Sequence, residues 1–279
     1  MPNITTNDVY YRQQLSVYSF NVHVLHSNTV YIYSYDETVA KKGSDDVCSM
    51  LYHFICNHVK SDVTRSHLFC NGCTCQNKNW TVIHFLYYLV HVLHRFQSIV
   101  IGFPVRGHSY MECDSDMVHV NQKARVEFPD KWCQEFEQAR QNPAPFNVVR
   151  MPKDGFLKIT DGLKPYFRIT RPTQTRPIRE LRVAIDNPNV FLHRNNWNGE
   201  FSSTAVSRNS CRSPEECIAT SIVFQAAYAG PLAISKPKYN DLQVLKKFCS
   251  AESQAYFDSL IVDDRVKDNL HEIEHENDE

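Results

Sequence analysis

The order in which strand-like and helix-like segments follow one another constrains this chain more than any other sequence feature. Two alternating apolar segments, separated by the turn-like HSN, predict a β-hairpin. Helix-like and strand-like patterns then alternate: the hairpin covers 15–25 and 29–35, and is followed by a helix over 47–60, a strand over 66–70, a helix over 77–96 and a strand over 98–105. A hairpin followed by βαβ units predicts an α/β protein with a mixed sheet and helices on its faces.

The rest of the chain extends this predicted core. Two further helices, over 118–128 and 129–141, place Pro129 at a helix start and complete a core over residues 1–147. Short strand-like pieces divided by Pro and Gly, among them GFLKIT and LRVAI, predict a basic, β-rich extension over 148–235. A helical segment is predicted over 236–263, followed by an acidic, disordered tail over 264–279.

Composition limits the classes of function. The formal net charge is -1, so a role with nucleic acid requires a local basic patch. The N-terminus lacks the features of a signal peptide, so we expect an intracellular location in which the ten cysteines are reduced. Three histidines interrupt the most apolar run, 82–96, which therefore predicts a buried helix and no membrane partner.

Common cofactor and catalytic motifs are missing from the sequence. It contains no G-x-G-x-x-G, Walker loop or G-x-S-x-G, so a nucleotide cofactor or a hydrolase triad has no support. Cys70, Cys73 and Cys75 have the spacing of half a zinc site, but no second C-x2-C supplies the other half. Buried cysteines without a metal are the more common case, and a zinc-stabilised interaction module stays a minor alternative.

Polar residues concentrate where two of the predicted strands end. Asn71 follows the strand over 66–70, within LFCNGCTCQNKNW, and the loop RGHSYMECDSD follows the strand over 98–105. In α/β sheets, sites form beyond the carboxyl ends of strands, which favours a site at this edge. The alternative is that the aspartates of the second loop only cap the next helix.

These stretches resemble a family of transposon-derived eukaryotic proteins of unknown function, whose domain is similar to RNase H-like, DDE-type transposase domains. The matching stretches run in the family's order and are YYRQQLSVYSFNVHVL, YIYSYDETVAKKGSDDV, LFCNGCTCQNKNW, VRGHSYMECDSDMVHVN and ISKPKYNDLQVLKKF. The resemblance implies an RNase H-like mixed sheet with helices on both faces. It also implies a chemistry in which two Mg²⁺ or Mn²⁺ ions, held by carboxylates, promote cleavage and strand transfer on DNA.

The sequence departs from the family pattern at two of its three acids. The second acid maps onto Asn71, whose amide oxygen is neutral and binds a divalent ion weakly. The strand of the first acid is missing, unless residues 1–9 replace it with Asp8, and the loss is expected to leave a sheet edge uncovered. The third acid is Asp114 or Asp116, and Asp114 is the preferred assignment. The resemblance therefore implies a degenerate site that binds Mg²⁺ or Mn²⁺ poorly, or no ion at all.

The resemblance also assigns roles to further residues and partners. Asp36, at the end of a neighbouring strand, is expected to be either a further metal ligand or a turn residue, and His108 is expected to orient a ligand or the phosphate. DNA is the expected partner, with a protein partner or a second copy as an addition and the nucleus as the location. The residues expected to contact DNA are Gln76, Asn77, Lys78, Arg106, Lys158 and Arg168.

A non-catalytic module that binds DNA or a protein is the alternative to an impaired nuclease. The basic run over 153–182 is interleaved with Phe156, Tyr166 and Phe167, a pattern that suits the tracking of phosphates. The same pattern also suits the solvated face of β-hairpins.

Overall fold

The structure is a computed structural model that describes residues 7–105, 110–121, 126–152, 154–167, 173–206 and 222–267. Within these ranges the fold is mixed α/β. The strands are β1 (Val17–Val24), β2 (Thr29–Asp36), β3 (Arg65–Phe69), β4 (Ser98–Gly102), β5 (Asn147–Val149), β6 (Glu180–Ala184), β7 (Val190–Arg194) and β8 (Ser202–Ala205). The α-helices are α1 (Ser44–His58), α2 (Trp80–His91), α3 (Glu112–Asn121), α4 (Pro129–Ala139), α5 (Ile159–Leu163), α6 (Lys236–Leu245) and α7 (Ala251–Asp258).

The chain divides into two compact units, and each is assembled from separated stretches of sequence. The first unit comprises Met1–Lys41, Glu112–Arg150 and Gly230–Glu279. The second comprises Lys42–Met111 and Met151–Ala229. The boundaries predicted after 147, 235 and 263 divide the chain into continuous pieces instead, and they stay a prediction.

The first unit is built on the predicted hairpin, which is confirmed. β1 and β2 pair antiparallel from Val17↔Asp36 to Val24↔Thr29, and Asn28 takes a positive φ in the turn between them. Asparagine tolerates this conformation better than most residues. β5 pairs parallel with the other edge of β2.

Two apolar clusters stabilise the first unit. One joins the hairpin to α3 and α4 through Val30, Ile32, Val120, Phe136, Ala139 and Phe146. The other lies around α6 and α7 and contains Leu15, Phe128, Ile234, Leu242, Leu245, Cys249 and Phe257. The predicted helix start at Pro129 and the predicted C-terminal helices are both confirmed.

The second unit is a five-stranded sheet with the order β3-β4-β6-β7-β8. β3 and β4 are parallel and are joined by α2, as the sequence predicts, whereas the remaining pairs are antiparallel. One face of the sheet is buried and carries Ile99, Ile101, Leu181, Val183 and Phe191. α2 packs on β4 and β6, and the ring of its first residue, Trp80, meets Phe191 edge-on at 5.7 Å.

Three features differ from the sequence-based expectation. The hairpin and the β3–β4 pair lie in separate sheets, because the free edge of β2 is taken by β5. GFLKIT is not a strand: Leu157 makes one isolated bridge, and α5 then begins where Thr160 donates its N–H and hydroxyl to Asp45. The face of the five-stranded sheet opposite α2 is exposed at Arg65, His67 and Arg182, whereas helices were expected on both faces.

None of the helices in the described ranges has both the length and the apolar character that crossing a membrane requires.

Candidate functional site

Asn71 lies in the loop between β3 and α2, at the carboxyl end of β3 as the sequence predicts. The side chain is exposed, but its oxygen accepts hydrogen bonds from residues of the same loop. Asn71 Oδ1 accepts hydrogen bonds from the backbone N–H of Cys73 at 3.4 Å and from Asn77 Nδ2 at 2.6 Å. The amide oxygen at this position is therefore an internal acceptor of an Asx-type turn.

The residues after Asn71 form one tightly bonded turn. The carbonyl oxygen of Cys73 accepts the backbone N–H groups of Gln76, Asn77 and Lys78 at 3.3, 2.9 and 3.0 Å. Asn79 then caps α2, because its Oδ1 accepts the N–H of Val82 at 3.1 Å. The predicted contacts of Gln76 and Asn77 with DNA are not tested by this geometry.

Lys78 points into the unit. It is only 4% exposed, its ammonium donates to the carbonyl of Arg176, and it lies 5.0 Å from the centre of the Phe103 ring. An ammonium held in this way is poorly placed to meet a phosphate in solvent, and its interactions stabilise the unit.

A polar cleft of about 330 Å³ opens beside the first turn of α2. Several of its lining residues carry hydroxyl groups, and one is Asn79, the cap of α2. The lining residues are Ser44, Thr74, Cys75, Lys78, Asn79, Trp80, Thr81 and Thr175. Two of the hydroxyls are anchored, because Thr81 shares a hydrogen bond with Thr160 and Thr175 donates to the Lys78 carbonyl. The cleft includes Thr74 and Cys75 of the loop that follows Asn71.

Asp116 belongs to the first unit, where it is the acceptor at the centre of a buried network. It is 4% exposed; its Oδ2 lies 2.7 Å from His23 Nδ1 and its Oδ1 accepts from Arg140 Nη1 at 3.2 Å. Arg140 is itself fixed, because it donates to the Ala144 carbonyl at 2.9 Å and its guanidinium lies 4.5 Å from the Phe146 ring. The carboxylate joins β1, α3 and the end of α4.

The other two acids of the first unit differ in their surroundings. Asp36 is buried at the end of β2, where its Oδ1 accepts the N–H of Thr38 at 2.7 Å and also the Thr38 hydroxyl. Burial raises the pKa of Asp36 above its usual range, while the bonds from Thr38 oppose that rise. Asp114 is exposed in the first turn of α3, a position that favours an acid through the helix dipole.

These residues do not fit the implied pair of divalent ions. Asn71 has no charge and both oxygens of Asp116 already accept hydrogen bonds. Across the part of the chain that the structure describes, no three His, Cys, Asp or Glu side chains are grouped so that they could hold a metal ion. His108, Arg106 and Arg168 lie outside the described residues.

The exposed face of the five-stranded sheet is a feature that the sequence reasoning missed. Arg65, His67 and Phe69 alternate along β3 and point to this face. His67 pairs with Val100 of β4, which pairs in turn with Arg182 of β6. Directly paired residues project to the same side, so His67 and Arg182 lie two strands, or about 10 Å, apart on one surface.

Aromatic rings lie among these cations. The His67 ring stacks on Phe69 with centroids 4.5 Å apart. Phe69 and Trp197 both cover Gly102, since a Cβ there would lie 3.1 Å from each ring. The rings stay 49% and 37% exposed, respectively. The Arg194 guanidinium, which donates to Glu180, lies 4.8 Å from the Phe201 ring. We call Arg65, His67, Phe69, Arg182, Arg194, Trp197 and Phe201 the open face.

The two units carry opposite charge, which the net charge of the chain conceals. The second unit has 17 Lys and Arg against 10 Asp and Glu, a formal charge of +7. The first unit has 13 against 21, a formal charge of -8. The basic run that the sequence singled out belongs to the positive unit, and its Lys158 is half-buried.

The comparisons with known proteins give no relative for this chain: no protein-family model matches it, and neither the curated proteins nor the solved structures contain a match.

Proposed function

We propose that this chain is a non-catalytic, DNA-binding protein of RNase H-like, transposase-derived ancestry, and that DNA binds on the open face. The observation that carries the proposal is the meeting of exposed guanidinium groups and exposed rings on one sheet surface of the positively charged unit. Guanidinium groups pair with phosphates, and aromatic rings stack on bases.

The spacing of the open face suits an extended strand of nucleic acid. Arg65 and Arg182 are two strands apart on the sheet, with the stacked His67 and Phe69 rings on the same surface. Cations can follow the backbone while rings receive unpaired bases, whereas paired bases in a duplex offer no face for stacking. The proposal therefore includes a preference for single-stranded DNA.

The proposed absence of catalysis rests on the contacts of the residues that occupy the positions of the family's acids. The oxygen at position 71 is neutral and holds its own turn. Asp116 holds His23 and Arg140. Two-metal cleavage requires carboxylates that converge on the ions, whereas the side chains of Asn71 and Asp116 hold the fold. If the third acid is Asp114 instead, it is a single carboxylate, which does not supply the ligands of two ions.

The ancestry is supported by the sequence resemblance and by one local arrangement. β3 and β4 are parallel, α2 connects them, and Asn71 follows the carboxyl end of β3. This is the position at which the resemblance places the second acid. The RNase H-like assignment remains part of the proposal, because the hairpin lies in a separate sheet.

The proposal is tested by fluorescence anisotropy of labelled oligonucleotides, single-stranded and duplex, over a series of salt concentrations. We expect Arg65→Ala combined with Arg182→Ala to weaken binding about tenfold and to reduce the salt slope by roughly 1.5, for two lost phosphate contacts. Trp197→Ala is expected to weaken binding of the single strand more than that of the duplex.

Lys60→Ala is the matched control. Lys60 is exposed and lies in the same unit, but it follows α1 and is not on the sheet. Its side chain can be removed without loss of the carbonyl that accepts from Arg95. If Lys60→Ala weakens binding as much as the paired arginine substitutions, the open face is not the binding surface.

A further inference from the structure

Two thiols in the loop between β3 and α2 lie close enough to react with each other. Cys73 Sγ and Cys75 Sγ are 3.1 Å apart, with Thr74 between them in the sequence. Cys75 is exposed and Cys73 is half-buried, so small reagents can reach the pair. A disulfide bond is about 2.05 Å long, so an approach of about 1 Å closes it.

The turn itself holds the two sulfur atoms near each other. The Cys73 carbonyl accepts three backbone N–H groups from the residues that follow, and the Cys73 N–H donates to Asn71 Oδ1. The Thr74 carbonyl accepts from Asn79 Nδ2 at 3.0 Å, which ties the intervening residue to the cap of α2. Because this backbone is already ordered, closing the bond costs little further conformational entropy.

We propose that Cys73 and Cys75 form a reversible intrachain disulfide by exchange with a low-molecular-weight disulfide such as oxidised glutathione. The Cys75 thiolate attacks one sulfur of the glutathione disulfide and expels one glutathione thiolate. The Cys73 thiolate then attacks the Cys75 sulfur and expels the second. The protein thiols lose two electrons and two protons, and the glutathione disulfide becomes two glutathione molecules.

Cys70 lies in the same segment and provides an internal comparison. Burial raises the pKa of the Cys70 thiol to about 12, although Lys78 acts in the opposite direction. At neutral pH this thiol contains very little thiolate, which is the form that attacks disulfides. The exchange is therefore expected at Cys73 and Cys75 and not at Cys70.

The experiment equilibrates the full chain with mixtures of reduced and oxidised glutathione, followed by acid quenching, alkylation and trypsin. Cleavage after Arg65 and Lys78 releases residues 66–78, which contain all three thiols. We expect this peptide to be two hydrogens lighter, with Cys70 alkylated. Cys70→Ser should leave the bond intact, and Cys75→Ser should abolish it.

The same equilibration in concentrated urea tests whether the fold is responsible. We expect the equilibrium constant for the Cys73–Cys75 bond to be at least about tenfold larger in the folded chain than in the unfolded chain. An equal constant in the two states overturns the proposal, as does a disulfide that joins Cys70 to either neighbour. Full alkylation of all three thiols in excess oxidised glutathione also overturns it.

Discussion

Asp114 and Asp116 are two residues apart on α3, yet their side chains differ in exposure to solvent. Asp116 is buried between His23 and Arg140, and Asp114 is exposed. We expect Asp116→Asn to lower the free energy of unfolding by about 3 kcal/mol, because it leaves the buried Arg140 without its counter-charge. Asp114→Asn should change it by less than about 0.5 kcal/mol. Urea unfolding followed by circular dichroism measures both.

The direction of the Asp116 effect separates a structural acid from a metal ligand. An acid kept for metal binding is repelled by other acids when no ion is present, so its neutralisation stabilises the protein. Greater stability of the Asp116→Asn chain in the presence of a chelator would therefore contradict the structural role.

Position 71 gives a second prediction for a single residue. Asn71→Asp preserves an oxygen acceptor for Cys73 and Asn77, so the turn should form as before. One restored carboxylate does not supply the several oxygen ligands that Mn²⁺ requires. We therefore expect calorimetry with Mn²⁺ to show no saturable binding for either the unchanged chain or the variant. Saturable binding by the variant alone would show that the other ligands of an ancestral site persist.

Among the elements, α7 begins at the N-cap Ser250, which a distant acid, Glu127, holds in place by hydrogen bonds. Glu127 Oε2 accepts the N–H and hydroxyl of Ser250 at 2.9 and 2.7 Å, and the hydroxyl of Ser253 at 2.6 Å. These hydrogen bonds lower the pKa of Glu127 below the ordinary value of a glutamate, about 4.5. Ionised Glu127 therefore stabilises the folded state above that value, and the contribution is lost as the pH falls through the folded-state pKa.

The pH dependence of Glu127→Gln tests this cap. Near pH 7 we expect the variant to be about 1 kcal/mol less stable than the unchanged chain, as for the loss of a helix cap. The difference should shrink as the pH falls through the folded-state pKa, because below it Glu127 is protonated in both states. Urea unfolding midpoints at pH 7 and at a series of lower pH values are the measurement. A difference of the same size at every pH would show that the carboxylate charge is not involved.

Elements that depend on local signals were predicted well, and their pairing was not. The hairpin follows from alternation and a turn, and α2 from apolar periodicity capped by Asn79. β5 lies more than 100 residues after β2 in the sequence, and no pattern within β2 predicts that the two strands pair. Likewise, RSHLF predicts a strand, but only the packing of α2 on the opposite side leaves its Arg65 face open.

The candidate site shows the same division. The place of Asn71 after β3 follows from local sequence and is confirmed. The burial of Asp116 depends on His23, which is 93 residues away, so the sequence offered no reason to prefer a structural role. The open face was missed because its cations and rings come from β3, β6 and the β7–β8 region, which become neighbours only in the sheet.

For the whole molecule, the separation of charge between the units has a consequence for the proposed binding of DNA. Residues 268–279 carry six acidic residues and no Lys or Arg, and they belong to the negative unit. Their field repels DNA phosphates over a distance set by the Debye length, about 10 Å at 0.1 M salt.

We therefore expect replacement of these six acids by Asn and Gln to strengthen binding of single-stranded DNA severalfold at low salt. The gain should fade as the salt concentration rises above about 0.15 M, because screening removes the repulsion. Anisotropy titrations at several salt concentrations measure it, and the equal length of the variant excludes an effect of truncation. An unchanged affinity at low salt would show that the acidic residues and the bound DNA do not influence each other. A gain that persists at high salt would instead indicate direct occupation of the binding surface.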